Sequence, residues 1–107
     1  MSARYESGTH LTIDVREDGD RAVVRVAGEL DAASLADFRT ALPDKRSAPH
    51  LEFELEELTF IDAGGLGEFL RLTAEGRTVT LRRPQPLFRK VLDITGTGGL
   101  FELEPPS

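Results

Sequence analysis

Segments whose apolar residues recur at every second position alternate along this chain with segments of helical spacing, and few folds accept that order. Leu11, Ile13 and Val15 alternate with Thr12, Asp14 and Arg16, the pattern of a half-buried strand. Glu17-Asp18-Gly19-Asp20 has turn chemistry, and Ala22 to Ala27 reads as the second strand of a hairpin that Gly28 ends. Asp31 is placed to cap a helix through Leu42, with Leu35, Phe38 and Leu42 on one face. Pro43 and the polar stretch to Pro49 close that unit. Leu51, Phe53 and Leu55 alternate with Glu52, Glu54 and Glu56 as a third strand, which a tight apolar loop, Leu58-Thr59-Phe60-Ile61, follows. From Gly64 the period turns helical: Leu66, Phe69, Leu70 and Ala74 fall together, and Gly76 is a stop. Glu68 with Arg71, and Arg71 with Glu75, have the spacing of surface pairs. Thr78 to Leu81 is a short fourth strand. After Pro84 and Pro86 a last helix brings Leu87, Phe88, Val91, Leu92 and Thr95 to one side. Gly96 to Gly99 breaks it, and Leu100 to Leu103 reads as an edge strand.

The order β-β-α-β-α-β-α-(β) specifies an α/β fold in a single small domain. It implies a mixed, mostly parallel sheet of four or five strands, joined by right-handed crossovers, with helices packed on one face. The 107 residues leave room for one domain only, and a chain of that size buries about two thirds of its unfolded surface. Residues 1–10 read as a flexible N-terminal segment, 11–104 as the domain and 105–107 as a tail that Pro105 and Pro106 keep out of any strand. There is no Cys, which excludes a disulfide scaffold, a Cys-ligated metal and a thiol nucleophile. A net charge of −6 repels phosphate backbones and anionic membranes, so direct nucleic-acid binding is not expected. With no apolar run near the roughly 20 residues of a membrane span and no signal-peptide core, the expected setting is the cytoplasm, without membrane insertion.

Sites in such sheets gather at the carboxyl ends of the strands, which here means Gly28 to Ser34 and Phe60 to Gly67. Asp62-Ala63-Gly64-Gly65-Leu66-Gly67 puts three glycines where a strand gives way to a helix. Free N–H groups and a positive dipole end there favour an anion. The dinucleotide fingerprint is broken, because Leu70 stands where the third Gly would be, and no Gly-Lys-Ser/Thr makes a phosphate loop. A purely structural account has Asp62 as N-cap and the glycines packing the helix onto the sheet. Asp31 and Asp62 on one rim have the makings of an acid–base pair or a divalent-ion site, against the plainer account of two N-caps. Glu52, Glu54, Glu56 and Glu57 read as a solvated strand face, and Arg82, Arg83, Arg89 and Lys90 as its basic counterpart. His10 and His50 are too far apart to form a ligand pair, and Ser34, Thr59 and Thr95 have no His beside them. No cofactor motif emerges and no enzyme is expected.

Three stretches together resemble the STAS domain, most closely the bacterial anti-sigma factor antagonists. They are Gly28-Glu29-Leu30-Asp31, then Leu58 through Gly67, then Pro86-Leu87-Phe88-Arg89-Lys90-Val91-Leu92-Asp93-Ile94-Thr95-Gly96. The resemblance runs from about Leu11 to Phe101, and the family fold agrees with the element order above. It implies partner switching: an antagonist binds an anti-sigma factor that is also a serine kinase of the histidine-kinase-like ATPase type, and so frees a sigma factor. Phosphorylation of a Ser or Thr directly after the loop Asp ends that contact by adding about −1.5 to −2 charges to it. On this resemblance the partner-binding positions are Asp31, Ala32, Ser34, Asp62, Ala63, Gly64, Gly65 and Leu66, and a weak homodimer is a further expectation.

The phosphoacceptor-equivalent position is Ala63, which has no oxygen to phosphorylate. The expectation is therefore a binding module that lacks the usual switch. Thr59 and Ser34 are poor substitutes for the acceptor. The competing readings are an accessory STAS subunit of an ABC-type lipid transporter or of a stress-sensing assembly, and a nucleotide or small-ligand sensor using the helix after Asp62 with Arg82 and Arg83.

Overall fold

The computed structural model describes residues 2–8 and 10–104, and the tail expected at 105–107 lies outside them. Strands β1 (Ser2–Ser7), β2 (Leu11–Asp18) and β3 (Arg21–Leu30) are followed by α1 (Leu35–Ala41), β4 (His50–Glu54) and β5 (Leu58–Ile61). Then come α2 (Ala63–Ala74), β6 (Thr78–Arg82), α3 (Pro86–Thr95), a 3₁₀ turn at Gly98–Leu100 and β7 (Glu102–Glu104). The sheet runs β1-β2-β3-β4-β6-β7, with β5 added to the far end of β3. The pairs β1/β2 and β2/β3 are antiparallel, and the pairs of β3 with β4 and β5, of β4 with β6 and of β6 with β7 are parallel. The mixed, mostly parallel single-domain architecture read from the alternation is the one found, with seven strands among the described residues rather than four or five.

One face of the sheet carries the core. Leu11, Ile13 and Val15, then Ala22, Val24 and Val26, then Leu51 and Phe53, then Val79 and Leu81 are buried against the helices. Phe38 of α1, Phe53 of β4, Phe69 of α2 and Phe88 of α3 meet at centroid distances of 6.0, 5.6, 4.8 and 5.7 Å. All three helices are thus pinned to β4 through one aromatic cluster. The open face is polar: Arg82 on β6 bonds Glu54 at 3.1 Å and Glu104 at 2.8 Å, with Glu52 at 3.8 Å. The connection from α1 to β4 is held from inside by Arg77, whose guanidinium donates to the carbonyls of Pro43 at 2.8 Å and Ala48 at 2.7 Å.

Five local expectations change. Ser2–Ser7 is a strand rather than a loose end, because its main chain pairs with β2 over six residues and Ser7 Oγ donates to Asp37 Oδ2 on α1 at 2.7 Å. Leu58–Ile61 is a strand rather than a loop, because β3 runs past the end of β4 and leaves an edge for it. Gly28 does not end β3: it sits at φ 103° in a register shift that carries the strand on to Leu30. In α2, Ala74 is exposed and Leu72 takes its place inside. In α3 the buried arc is narrow. Phe88 and Leu92 face the core, while Leu87 is 63 % exposed and Thr95 is exposed.

Candidate functional site

Leu30 and Ile61 are register partners at the carboxyl ends of adjacent parallel strands, so Asp31 and Asp62, the next residues, leave the sheet side by side. The Asp62 N–H donates to the Leu30 carbonyl at 3.3 Å, which locks the two exits together. The Gly28 bulge makes this possible. It turns β3 so that the Gly28 N–H bonds the Glu57 carbonyl at 2.9 Å, while the Glu29 N–H bonds the His10 carbonyl at 2.7 Å.

Asp31 closes a turn rather than the first turn of the helix. Its Oδ1 accepts from the Ala33 N–H at 3.0 Å and the Ser34 N–H at 3.2 Å, and α1 begins only at Leu35. This corrects the expectation that Asp31 caps the helix: the N-cap of α1 is Ser34, three residues on, and Asp31 closes the turn that leads into it. Asp62 is the N-cap of α2, with its Oδ1 accepting from the Gly65 N–H at 2.9 Å. Both carboxylates thus bind local backbone N–H groups, Asp31 in a turn and Asp62 as a helix cap.

The glycines that follow are there for different reasons. A Cβ on Gly65 would meet Ile61 Cγ1 at 2.7 Å and the Leu30 carbonyl oxygen at 3.0 Å, so α2 lies directly on the ends of β3 and β5. A Cβ on Gly64 would stand 3.1 Å from Leu35 Cδ1, so the starts of α1 and α2 touch there. Gly67 has nothing within 4 Å of such a position.

The eight positions carried over from the resemblance separate by exposure. Ala32, Ala63 and Gly64 are exposed, and Asp31 and Asp62 are half-buried. Ser34, Gly65 and Leu66 are buried, so these three shape the surface from beneath and offer no side chain to a partner. The Ser34 hydroxyl is enclosed by Asp31 Oδ1 at 3.2 Å and the Glu29 carbonyl at 3.3 Å, which also removes it as an accessible acceptor. Thr59 is exposed and donates to the Gly28 carbonyl at 3.0 Å. Phe60, inside the expected Phe60-to-Gly67 stretch but not among the carried-over positions, is 43 % exposed two residues before the cap. The segment is too short for the period to show which side is wet.

The basic side of the small-ligand reading is already occupied: Arg82 bonds Glu54 and Glu104, and Arg83 bonds Glu56 at 3.1 Å. Arg25, Glu54, Glu56, Glu57, Arg82 and Arg83 line a cleft of about 200 Å³, smaller than the roughly 300–1,000 Å³ of small-molecule pockets. Opposite charges inside it neutralise one another, so the cleft offers no net attraction to a phosphate.

Glu68 is the charged group behind the rim. It was expected in a surface pair with Arg71, but it is buried. Its carboxylate receives Arg39 from α1 as well as Arg71 Nε at 3.1 Å, and Arg71 reaches on to Glu75 at 2.6 Å. The hydrogen bond from Arg39 holds the Glu68 carboxyl below the usual carboxylate range; burial opposes this and Arg71 adds to it. A carboxylate lowered in the folded state contributes stability above its unfolded value and loses it as pH falls through the folded value. Glu68→Gln is expected to cost about 1–2 kcal/mol at pH 7. The deficit should shrink as pH falls from the unfolded carboxyl value, about 4.3, down through the lower folded value, where the native side chain also gains its proton. Urea unfolding at pH 7 and pH 3 measures both, and an equal deficit at the two values would sink the assignment.

The chain belongs to the STAS domain family: residues 13–103 match the family model described as Mlab, STAS domain. Over 103 residues it is 24 % identical to the anti-sigma-B factor antagonist of Bacillus subtilis (strain 168), with 92 % of this chain and 94 % of that protein covered. Its fold is similar to that of an anti-sigma factor antagonist from Mycobacterium paratuberculosis, at TM-score 0.78 and 21 % identity over 95 % of this chain and 92 % of that one. It is also similar to the anti-sigma factor antagonist SpoIIAA in its unphosphorylated form, at TM-score 0.66 and 23 % identity over 87 % and 88 % of the two chains. Among the described residues no helix is long and apolar enough to cross a membrane.

Proposed function

We propose that this protein is a regulatory binding module that opposes an anti-sigma factor, and that its contact is not ended by phosphorylation at the usual place. The carrying observation is Ala63. It is the first residue of α2, directly after the cap Asp62, and is exposed at the centre of the rim with a methyl group where an acceptor would need a hydroxyl. Ala32, Phe60 and Gly64, on the same two strand-to-helix segments, are exposed as well and add small or apolar groups that a partner can use. In this reading the partner is an anti-sigma factor of the histidine-kinase-like ATPase type, the protein needs no cofactor, and regulation acts through contact rather than catalysis.

The test is capture of that anti-sigma factor from extract of the source cell by the tagged chain, with and without ATP. Retention in ATP is the expected result. Ala63→Glu should weaken binding at least about tenfold by burying an unpaired charge. A carboxylate at the first helical turn suits the α2 dipole, so the fold should be kept. Stoichiometric phosphate on Thr59 after incubation with the kinase would overturn the proposal. The missing hydroxyl also fits a second reading, an accessory STAS subunit of an ABC-type lipid transporter or of a stress-sensing assembly, where contact is constitutive. An ABC ATPase or other STAS chains in the capture would select it.

A further inference from the structure

We propose that the outer edge of β1 is a self-pairing surface, on which two copies of this chain join antiparallel about Tyr5 to make one continuous sheet. β1 ends the sheet: among the described residues β2 alone pairs with it, through six consecutive register pairs without a bulge. Its other side therefore presents open N–H and C=O groups over a stretch with no proline, which is a template for another strand.

The side chains select both the partner and the register. Ala3, Tyr5 and Ser7 stand opposite Val15, Ile13 and Leu11, on the helix side, and Arg4 and Glu6 stand opposite Asp14 and Thr12 on the open side. Arg4 and Glu6 are 64 % and 66 % exposed and lie 3.6 Å apart along the strand. A two-fold axis normal to the sheet keeps the helices of both copies on one side and sets like faces opposite each other. Centred on Tyr5, it places Arg4 against the second copy's Glu6, and Glu6 against the second copy's Arg4. Tyr5, 41 % exposed, then meets its own counterpart. The neighbouring face-preserving registers would centre Arg4 on Arg4 or Glu6 on Glu6, and directly opposed like charges destabilise a ladder. The far edge behaves in the opposite way. β7 is three residues long, and antiparallel pairing about Leu103 would set Glu102 against Glu104. One edge is thus complementary to itself and the other repels itself.

Sedimentation over a concentration series is expected to show a reversible dimer. Arg4→Glu or Glu6→Arg alone should weaken it by roughly tenfold, since each replaces both attractive cross-strand pairs with repulsive ones. The double exchange Arg4→Glu with Glu6→Arg should restore it. Because the chain has no cysteine, single-cysteine variants test the register directly. Tyr5→Cys should oxidise to a disulfide dimer faster than Arg4→Cys or Glu6→Cys, since directly opposed Cα atoms of an antiparallel pair lie about 4.5–5.5 Å apart, within disulfide reach. Ala63→Glu, on the rim, should leave the dimer unchanged. A chain that stays monomeric at millimolar concentration, a double exchange as weak as its singles, or equal oxidation rates would each overturn the proposal.

Discussion

Gly28→Ala is expected to cost at least about 3 kcal/mol, a large share of the roughly 5–15 kcal/mol that holds a domain of this size. Two penalties act together. The backbone is at φ 103°, outside the range an L side chain adopts without strain. A Cβ built there would also overlap the His10 carbonyl oxygen, which is already fixed by the Glu29 N–H at 2.7 Å. Relief would pull β2 away from β3 or straighten the bulge, and straightening it removes the edge on which β5 pairs. Gly67→Ala is the control, since that position is helical and nothing lies within 4 Å of the added methyl. It should stabilise by about 0.4–1 kcal/mol. Urea denaturation of both variants measures the contrast. A Gly28→Ala protein within about 1 kcal/mol of the parent would show that the bulge is dispensable.

Phe69→Ala should be comparably severe, at about 3–5 kcal/mol, for a different reason. The ring is fully buried and touches Phe38, Phe53 and Phe88, so its loss opens a void between α1, β4 and α3 at once. Rigid helices on a hydrogen-bonded sheet cannot all collapse into one gap, which keeps the cavity cost high. Thermal unfolding should show a fall in Tm of more than about 10 °C. Phe60→Ala separates stability from binding: with 43 % of that residue exposed, the change should cost under about 1 kcal/mol. It should nonetheless weaken the proposed partner contact, as loss of an aromatic anchor does. If Phe60→Ala were as destabilising as Phe69→Ala, Phe60 would belong to the core and the rim would have to be redrawn.

Much of the fold was legible because its signals are local. Alternation along β2, β4 and β6 records a sheet with one wet face, and that face is the one lined by Glu52, Glu54 and Arg82. The cap at Asp62 was legible for the same reason, since the carboxylate and the Gly65 N–H it accepts from are three residues apart. Of the rim, the cap, the glycines and the missing hydroxyl at Ala63 could be read in order along the chain.

What escaped the pattern depends on partners distant in sequence. β1 is polar and shows no period, and it is a strand because β2 offers its backbone an edge. β5 is a strand because the Gly28 bulge opens a place for it. Glu68 had the spacing of a surface pair, and α1, by delivering Arg39, made it an internal clamp. By itself the sequence determined the alternating α/β order, the cap at Asp62 and the absence of an acceptor at position 63, because spacing and composition are properties of neighbouring residues. Only the tertiary structure decided which side chains are wet, which strands complete the sheet and which charges are already paired, because register and burial are set by segments that meet in space.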